Sequence, residues 1–269
     1  YMPEYREAKE ITRSLYCYRD LKNSNRIDKS IGSLGGGNHF IELNKDESGL
    51  LYLVVHTGSR NLGKQVADFY QQMAIKSLTK DGETLLPKAL CFLQGEQKEK
   101  YLHDMKLCQR WAVLNRKLIM GLLMDFLQAN SYVSSVNNED AFESVHNYIS
   151  DENLIRKGAI SAKLGEKCII PMNMRDGSLI CIGKGNEDWN NSAPHGAGRV
   201  MSRTKAFEII ELNDFKESMK GIYSETISEG TKDESPMVYK PMQEIVENIS
   251  DTVTIINTIK PIFNFKAAE

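Results

Sequence analysis

The feature that most limits the fold is one long stretch of helical periodicity followed by short apolar segments between turns. From about Glu96 to Asn130, apolar residues recur at mixed spacings of three and four, which predicts one long helix or a broken pair of helices. After a polar connector at residues 131–140, short apolar segments lie between turns rich in Gly and Asn. Helices and strands follow no regular alternation. The sequence therefore predicts a single α+β domain of mixed short strands and peripheral helices rather than a βαβ array.

Local patterns predict the remaining elements. Residues 1–30 are polar and predict a helix with a loop, and Lys64–Leu78 predicts a second helix. The alternation in Asn38–Leu43 predicts a half-buried strand, and the continuous apolar run Leu50–Val55 predicts a buried one. Further predicted elements are strands at Phe142–Ile149, Cys168–Pro171 and Leu179–Ile182, a loop at Gly183–Gly198, a helix from near Gly198, an amphipathic helix at 238–258 and a terminal strand at Ile262–Lys266.

Composition narrows the class of partner. The 269 residues include 34 Lys and Arg against 36 Asp and Glu, a formal net charge of −2, so a nucleic-acid site must be a local patch. No apolar run approaches the roughly 18 residues that a transmembrane helix needs, and no membrane association is expected. The five cysteines form no Cys-x-x-Cys pair, which favours reduced thiols and a cytoplasmic protein.

Four of the five histidines share a sequence context, the edge of a predicted strand or loop beside Gly, Asn or Ser; they are His39, His56, His146 and His195. Glycine permits close backbone approach to a ligand, and loops at strand ends often carry sites. The spacing matches no local metal motif, so structural histidines and a multi-histidine metal site both remain open. His103 lies within the long predicted helix and is interpreted as a surface or packing residue. The pair Arg156–Lys157 could contact phosphates or lie on the surface.

Two glycine-containing segments are candidates for anion binding. The run Gly32–Gly37 could form a phosphate-binding nest of backbone N–H groups or a plain turn, and it lacks the Gly-Lys-Ser/Thr of a P-loop. The other segment places His195 near a predicted helix start, with Arg199 and Arg203 on one helical face. A histidine in that position can act as a nucleophile toward phosphorus or as a general acid. A solvated basic helix face is the alternative.

Six segments carry a resemblance to a known family: Gly32–Glu42, Val55–Arg60, Val145–Tyr148, Arg156–Ala159, Ile182–Asn186 and His195–Arg203. Together they resemble the RtcB family of RNA-splicing ligases, in the family's order and over roughly residues 30–266. The glycine triplet followed by Asn38 and His39 is the most specific, together with the run that begins His195-Gly-Ala-Gly. The resemblance implies one RtcB-like domain over residues 1–269. Within it, residues 1–30 would be a divergent or truncated N-terminal segment and residues 79–140 a helical insert region.

The resemblance also implies a monomeric, cytoplasmic ligase that depends on Mn²⁺ and GTP. Such an enzyme joins an RNA 3′-phosphate, or a 2′,3′-cyclic phosphate after hydrolysis, to a 5′-hydroxyl. Carried over by motif, His195 would attack the α-phosphorus of GTP and become guanylylated before GMP passes to the RNA end. The metal ligands would be His39, His56 and His146. The residues that hold the guanylate would be Asn38, His39, Phe40, Ile41, Glu42, His146, Asn147, Pro171, Met172, Asn173, Met174, Ser178, His195, Gly196, Ala197, Gly198 and Lys266.

The sequence departs from the family's pattern at two places, and the second indicates a divergent branch with RNA repair rather than tRNA splicing as its role. The family's upstream Asp-x-x-Cys metal-binding segment is not found, since Ser14 stands three residues before Cys17. If the chain were the whole protein, a single ion held by three histidines and the triphosphate would be expected. The family's Pro-Gly-Ser-Met phosphate loop reads Pro171–Met174, where Asn173 or Arg175 could replace the lost groups. A catalytically impaired RNA- or nucleotide-binding member and a metal-dependent phosphoesterase are the alternatives.

Overall fold

The computed structural model of the chain describes residues 1–80, 82–137 and 139–267. Positions 81, 138, 268 and 269, which fall within the predicted insert, connector and domain, lie outside the described residues. The chain divides into a helical unit, Tyr1–Gly35 with Val55–Ser134, and a β-rich unit, Gly36–Val54 with the chain from Ser135 onward. Helices and antiparallel strands are both present, so the predicted α+β class is confirmed.

The helical unit is organised around one long helix. Its elements are α1 (Met2–Ser14), α2 (Ser24–Asp28), α3 (Asn61–Ser77), a short hairpin of β3 (Thr79–Lys80) with β4 (Glu83–Thr84), and α4 (Gly95–Ala129). The predicted helices at Lys64–Leu78 and Glu96–Asn130 are confirmed, and the second is one continuous helix of 35 residues. Its apolar residues at spacings of three and four pack with α1 and α3 in one core that includes Ala8, Ile11, Leu62, Val66, Tyr70, Cys108, Trp111 and Leu114.

A buried carboxylate joins three elements of this unit. Asp104 on α4 accepts hydrogen bonds from the backbone N–H groups of Tyr16 at 2.9 Å and Cys17 at 3.1 Å, just after α1. The hydroxyl of Tyr70 on α3 donates at 2.8 Å, and His103 Nδ1 lies 3.1 Å away. Burial alone would raise the pKa of Asp104, but these hydrogen bonds, with Tyr16 first, outweigh it and lower the pKa. His103 is itself exposed, so its interpretation as a surface residue is confirmed.

The described part of the β-rich unit contains two antiparallel sheets, three short α-helices and the 3-10 helices Glu187–Trp189, Glu229–Glu234 and Pro236–Val238. Its elements are β1 (Phe40–Lys45), β2 (Leu51–His56), β5 (His146–Ile149), β6 (Ile155–Ser161), β7 (Lys167–Asn173), β8 (Gly177–Gly183), β9 (Ser192–Pro194), α5 (Arg203–Ile209), α6 (Leu212–Ser218), α7 (Met242–Asn248) and β10 (Val253–Phe265). The last two residues of β2 belong to the helical unit. One sheet has the order β2-β1-β10-β8-β7, and the other has the order β5-β6-β9.

The thirteen-residue strand β10 is central to the larger sheet. Its first half pairs with β8, from Val253 opposite Gly183 to Ile259 opposite Ser178. Its second half pairs with β1, where Asn264 lies opposite Glu42. β10 therefore brings the C-terminal end of the chain against the strand that follows the glycine triplet.

The predicted amphipathic helix at 238–258 is wrong. Within it, Met242–Asn248 is α-helical, and β10 starts at Val253. The stretch from Thr252 to Ile259 is almost entirely β-branched, and such side chains favour a pleated strand over a helix. The predicted terminal strand at Ile262–Lys266 is the end of this longer strand.

Three smaller predictions also need correction. The run Leu50–Val55 does form a strand, β2, but not a buried one, because it lies at the edge of its sheet and Leu51 is 39% exposed. The predicted strand at Phe142–Ile149 is formed only from His146 onward. The predicted loop at Gly183–Gly198 contains the three-residue strand β9, which pairs with β6.

The core of the β-rich unit is apolar and includes two of the five thiols. Cys168 and Cys181 lie opposite each other on β7 and β8, packed with Ile170, Leu179 and Ile249. All five cysteines are buried free thiols, as the prediction of reduced cysteines requires. Within the described ranges, no helix has both the length and the apolar character needed to cross a membrane.

Candidate functional site

Two of the predicted histidines meet on the smaller sheet. His146 begins β5, and His195 directly follows β9; both strands flank β6. The two ring centroids are 4.8 Å apart, and both side chains are half-buried. The backbone N–H of His195 donates to the Gly158 carbonyl oxygen at 3.4 Å, and the Gly158 N–H donates to Asn147 Oδ1 at 2.9 Å. β6 thus holds both histidine segments and places the two imidazoles side by side.

The loop after His195 depends on its glycines. Ala197 donates its backbone N–H to the carbonyl oxygen of Pro171 at 3.1 Å. A Cβ atom at Gly196 would lie 3.0 Å from that same oxygen, tighter than ordinary van der Waals contact. Gly198 has a φ of 71°, in the left-handed region that favours glycine. The predicted guanylate segment His195–Gly198 is therefore fixed against β7.

Ser178, another predicted guanylate residue, lies beside this loop. It is directly opposite Pro171 in the β7–β8 pair and is fully buried. Among the described residues, no hydrogen-bond partner faces its Oγ. A buried hydroxyl without a protein partner has both donor and acceptor capacity for a bound ligand. This fits the predicted role of Ser178 in holding a polar group such as a nucleotide.

The segment Pro171–Met174 forms the end of β7 and part of the core. Met172 and Met174 are buried. Asn173 Oδ1 accepts the backbone N–H groups of Arg175 at 3.0 Å and Asp176 at 2.9 Å, and Asn173 Nδ2 donates to Asp176 at 2.8 Å. Arg175 also pairs with Asp176 at 2.8 Å. The polar groups that could have replaced the family's phosphate loop are thus engaged in the turn between β7 and β8.

The predicted helix from near Gly198 is wrong, because α5 begins at Arg203. Ser202 caps this helix by accepting the backbone N–H of its third residue at 3.2 Å. Arg199 lies before the cap in extended backbone and forms an isolated antiparallel bridge with another segment. Consequently His195 is not at a helix N-terminus, and the two arginines do not share a helical face.

Carboxylates engage both of these arginines. Arg203 lies 3.2 Å from Asp233 Oδ2, and Arg199 donates to Glu234 Oε1 and lies 3.8 Å from Asp233. Asp233 and Glu234 are both buried. Burial and the charge of Glu234 raise the pKa of Asp233, while the two arginines oppose that rise. The predicted solvated basic face is therefore an ion-pair network with buried acids.

A second buried carboxylate lies at the β1–β10 pair. Glu42 is 2% exposed; it accepts from Asn264 Nδ2 at 2.7 Å and from Asn44 Nδ2 at 3.3 Å. Burial raises the pKa of Glu42 to about 7, although these two amides and the charge of Lys266 lower it in part. A carboxyl group with this pKa can gain or lose a proton near neutral pH.

Lys266 completes this end of the site. Its side chain is buried, and its Nζ donates to Glu234 Oε2 at 2.9 Å. The same ammonium lies 5.4 Å from the ring centroid of Phe40, a distance typical of a cation–π contact. Phe40, Glu42 and Lys266 were all predicted from the resemblance, and the structure brings them together at the β1–β10 pair.

In the helical unit, the glycine run is held by a residue that the sequence did not single out. Asn115 on α4 is fully buried, and its Oδ1 accepts the backbone N–H groups of Gly32 at 2.7 Å and Ser33 at 3.3 Å. Its Nδ2 donates to the carbonyl oxygens of Ser33 and Gly58, each at 3.1 Å. These two N–H groups already have an acceptor, which favours the plain turn over a phosphate nest at this part of the run.

Arg60 passes through the same turn. Its Nε donates to Ser33 Oγ at 3.0 Å and its NH1 donates to the Leu34 carbonyl at 3.2 Å. Gly35 has a φ of 88°, in the left-handed region that favours glycine, and a Cβ there would displace the Arg60 guanidinium. His56, the last residue of β2, lies four residues before Arg60 along the chain and belongs to the same unit.

Arg156 was predicted either to contact phosphates or to lie on the surface, and its observed contacts are structural. It lies on β6, a strand the sequence analysis missed, and is 3% exposed. It donates to Ser192 Oγ at 2.9 Å, Tyr148 OH at 3.2 Å and the Asn190 carbonyl at 3.3 Å. The surface interpretation is wrong for Arg156, whose side chain holds the β5–β6–β9 sheet together, and holds for Lys157, which is exposed.

Sequence reasoning missed three residues of these networks, and their local signals differ. A polar residue within an apolar helical stripe could have indicated Asn115. Asn264 lies between apolar neighbours on a strand, a weaker signal of the same kind. Glu234 gives no local signal, since its partners Arg199 and Lys266 are 35 and 32 residues away.

The predicted metal ligands are not brought together as the predicted nucleotide residues are. Throughout residues 1–80, 82–137 and 139–267, no group of three or more His, Cys, Asp or Glu side chains is arranged to hold a metal ion. The described residues thus present no full ligand set. The metal roles of His39, His56 and His146 stay predictions, as does the exposed Asn38 as a guanylate contact.

The β-rich unit therefore carries a candidate nucleotide site. It consists of the half-exposed pair His146 and His195, the glycine-dependent loop after His195, and the buried pair of Lys266 with Glu234. Residues 8–267 match the family model described as tRNA-splicing ligase RtcB. The chain belongs to the RtcB family, as the resemblance predicted.

Curated relatives agree with this assignment. The chain is 34% identical over 258 residues to the RNA-splicing ligase RtcB of Escherichia coli (strain K12), a match that covers 91% of this chain and 63% of the relative. It is 28% identical over 271 residues to the tRNA-splicing ligase RtcB of Methanococcus maripaludis, covering 82% of this chain and 56% of the relative. The chain thus spans less than two thirds of the length of either relative.

Proposed function

We propose that this chain is the nucleotide-binding part of an RNA ligase that joins 3′-phosphate or 2′,3′-cyclic phosphate ends to 5′-hydroxyl ends, with GTP as cosubstrate and Mn²⁺ as cofactor. Membership of the RtcB family supports the reaction class. The observation that carries the proposal is the position of His195. Its imidazole is half-exposed, lies 4.8 Å from His146 and is followed by a loop anchored on Pro171.

In this proposal, His195 is the nucleophile. A ring nitrogen of His195 attacks the α-phosphorus of GTP, a phosphorus–nitrogen bond forms, and the bond to the departing pyrophosphate breaks. The RNA 3′-phosphate then attacks that phosphorus, which frees His195 and transfers GMP to the RNA. Finally the 5′-hydroxyl attacks the RNA phosphate, loses its proton to solvent and displaces GMP. A cyclic phosphate is first hydrolysed to the 3′-phosphate.

The Glu42–Lys266 end favours guanine over adenine. Guanine presents an acceptor at O6 and donors at its amino group, whereas adenine presents an amino donor at the corresponding position. The Lys266 ammonium is a donor without acceptor capacity, and the ionised Glu42 carboxylate is an acceptor. Phe40 supplies an aromatic face next to Lys266. This arrangement matches guanine and leaves the amino group of adenine facing a cation.

For Mn²⁺, the proposal rests on the family resemblance and on donor chemistry. Imidazole nitrogen is a suitable ligand for divalent transition metals, and His39 and His146 are the ligands we assign within the β-rich unit. A divalent ion would act as a Lewis acid on phosphate oxygens. The described residues present no three-ligand group, and the steps given for His195 involve only groups of the chain, GTP and RNA.

The remaining proposals concern the RNA partner, the oligomeric state, the cellular compartment and the biological role. RNA ends with 3′-phosphate and 5′-hydroxyl groups are the proposed partner, and a monomer is the proposed state. The five free thiols favour a reducing compartment such as the cytoplasm. An RNA-repair role follows from the departures in the phosphate loop.

Guanylylation of His195 is the direct test. The purified chain is incubated with Mn²⁺ and GTP labelled at the α-phosphate, and we expect an acid-labile adduct on wild-type protein and none on His195→Ala. His103→Ala, which removes an exposed histidine of the helical unit, is the matched control and should retain the adduct. Equal labelling of His195→Ala would contradict the proposal. GTP binding without any adduct would favour a nucleotide-binding family member instead.

A further inference from the structure

We infer that Glu234 is a positioning residue of the nucleotide site: its carboxylate holds Lys266 at the base end and Arg199 beside the His195 loop. The inference rests on the proposed function, because it assigns Lys266 to guanine and the loop to phosphate. It adds a residue that the sequence pattern did not indicate.

The contacts of Glu234 carry this inference. The residue is 3% exposed, and both carboxylate oxygens have partners. Oε2 accepts from Lys266 Nζ at 2.9 Å and from Tyr239 OH at 2.7 Å, while Oε1 accepts from Arg199. Charge-assisted hydrogen bonds of this kind are strong and directional, so one carboxylate fixes the direction of two cationic side chains.

The two cations lie next to the two ends of the candidate site. Lys266 immediately follows β10, where Asn264 contacts Glu42. Arg199 immediately follows the His195–Gly198 loop. Glu234 therefore joins the strand end that would read the base to the loop that would present the nucleophile.

The backbone near Arg199 does not depend on the carboxylate. Val200 donates its N–H to the Val238 carbonyl at 2.8 Å, and Lys240 donates to the Gly198 carbonyl at 3.1 Å. These main-chain bonds remain when Glu234 becomes glutamine. A loss of nucleotide affinity in that variant would thus report the side-chain network rather than an unfolded loop.

The cations around Glu234 are matched by carboxylates. Arg199, Arg203 and Lys266 face Asp233 and Glu234, and Glu42 also interacts with Lys266. Asp233 pairs with the two arginines, whereas Lys266 pairs with Glu234. Asp233 is therefore a matched control: its loss removes the same charge without releasing Lys266.

The test measures GTP binding and labelling of His195 for Glu234→Gln, Asp233→Asn, Lys266→Met and the double variant Glu234→Gln/Lys266→Met. Loss of a hydrogen bond to a charged group predicts roughly tenfold to hundredfold weaker GTP binding in Glu234→Gln. The labelling rate at saturating GTP should change far less. Asp233→Asn should lose much less affinity, and Glu234→Asp, which keeps the charge, should recover part of the loss.

The double variant separates positioning from general damage. Because Glu234 acts through Lys266 and Arg199, the double variant should bind GTP more weakly than Lys266→Met only by the share that Arg199 carries, so the two losses should not multiply in full. Glu234→Gln and Lys266→Met should each discriminate less between GTP and ATP. Fold integrity is read from thermal unfolding. Wild-type affinity in Glu234→Gln, or losses that multiply in full in the double variant, would overturn the inference.

The outcomes for the two proposals differ. Wild-type protein that binds GTP without labelling His195, while Glu234→Gln binds weakly, would refute the ligase chemistry but retain the positioning role. Wild-type protein that labels normally, with Glu234→Gln indistinguishable from it, would refute only the positioning role. Wild-type protein that binds no guanine nucleotide would refute both.

Discussion

The two units of this chain each bury a hydrogen-bonded carboxylate, but the partners differ in kind. In the helical unit, Asp104 accepts from two backbone N–H groups and a tyrosine hydroxyl. In the β-rich unit, Glu234 accepts from an ammonium, a guanidinium and a tyrosine hydroxyl. Backbone donors fix a chain path, so the first arrangement serves the fold. Side-chain cations can also reach a ligand, so the second can serve binding as well.

The largest expected effect is on the stability of the helical unit, through Asp104. Asp104→Ala removes the acceptor of the buried Cys17 N–H and Tyr70 hydroxyl and of the partly buried Tyr16 N–H. We expect a loss of about 4 kcal/mol in the free energy of unfolding, since each unsatisfied buried donor costs about 1–3 kcal/mol. Urea denaturation followed by circular dichroism measures this. A loss below about 1 kcal/mol would show that the carboxylate does not stabilise the helical unit.

The next effect is a pH dependence with opposite signs in the two units. The pKa of Glu42 is about 7 in the fold against an ordinary value of 4.5, so between these values the folded chain keeps a proton that the unfolded chain has released. Its contribution to stability is full below about pH 4.5 and is lost as the pH rises toward 7. Glu42→Gln should remove a fall of about 3 kcal/mol across this range.

Asp104 behaves in the opposite way. Its lowered pKa makes its contribution full above the ordinary value of 3.8 and lost as the pH falls through the folded value. Stability curves of both variants against wild type, measured from pH 3 to 8, check the two signs. Identical pH profiles for wild type and Glu42→Gln would contradict the assignment.

A smaller effect tests whether the glycine run at Gly32–Gly37 stabilises the fold or binds phosphate. Asn115→Ala removes the acceptor of Gly32 and Ser33 and the donor to Gly58, and we expect a loss of about 2 kcal/mol in unfolding free energy. GTP binding, measured below the unfolding transition, should stay near the wild-type value. A large loss of affinity without a loss of stability would instead support a phosphate nest at this run.

The smallest effect is expected at an exposed pair. Lys64 and Asp68 on α3 form an ion pair in which both side chains are more than half exposed. Asp68→Ala should change the free energy of unfolding by less than about 1 kcal/mol, because solvent screens such pairs. This variant is the control for Asp104→Ala, and an effect of equal size would remove the distinction between buried and exposed carboxylates.

The sequence predicted those parts of the molecule whose causes are local. The long helix α4 follows from apolar spacing within its own residues. The helix predicted from Gly198 failed because a serine cap at Ser202 moved the start to Arg203. The helix predicted at 238–258 ends at Asn248, because the β-branched side chains from Thr252 onward favour a strand over a helix.

In the candidate site too, the residues marked by local motifs were predicted and those held by long-range pairing were not. Phe40, Glu42, His146, His195 and Lys266 were found through motifs, and the structure groups His146 with His195 and Phe40 with Lys266. Their supporting groups could not be found, because Glu234 lies more than thirty residues from either cation it binds. Pairing across such separations is set by the sheet and not by local sequence.

The alternation at the end of β10 limits how this protein can vary. Asn264 and Lys266 are buried while Phe265 between them is exposed, and Asn264 is in register with Glu42. Removing or adding one residue between Asn257 and Asn264 would turn both polar side chains to the opposite side of the sheet. Changes of length are therefore far more costly here than at the exposed β3–β4 hairpin, and descendants of this sequence should gain or lose residues at the hairpin first.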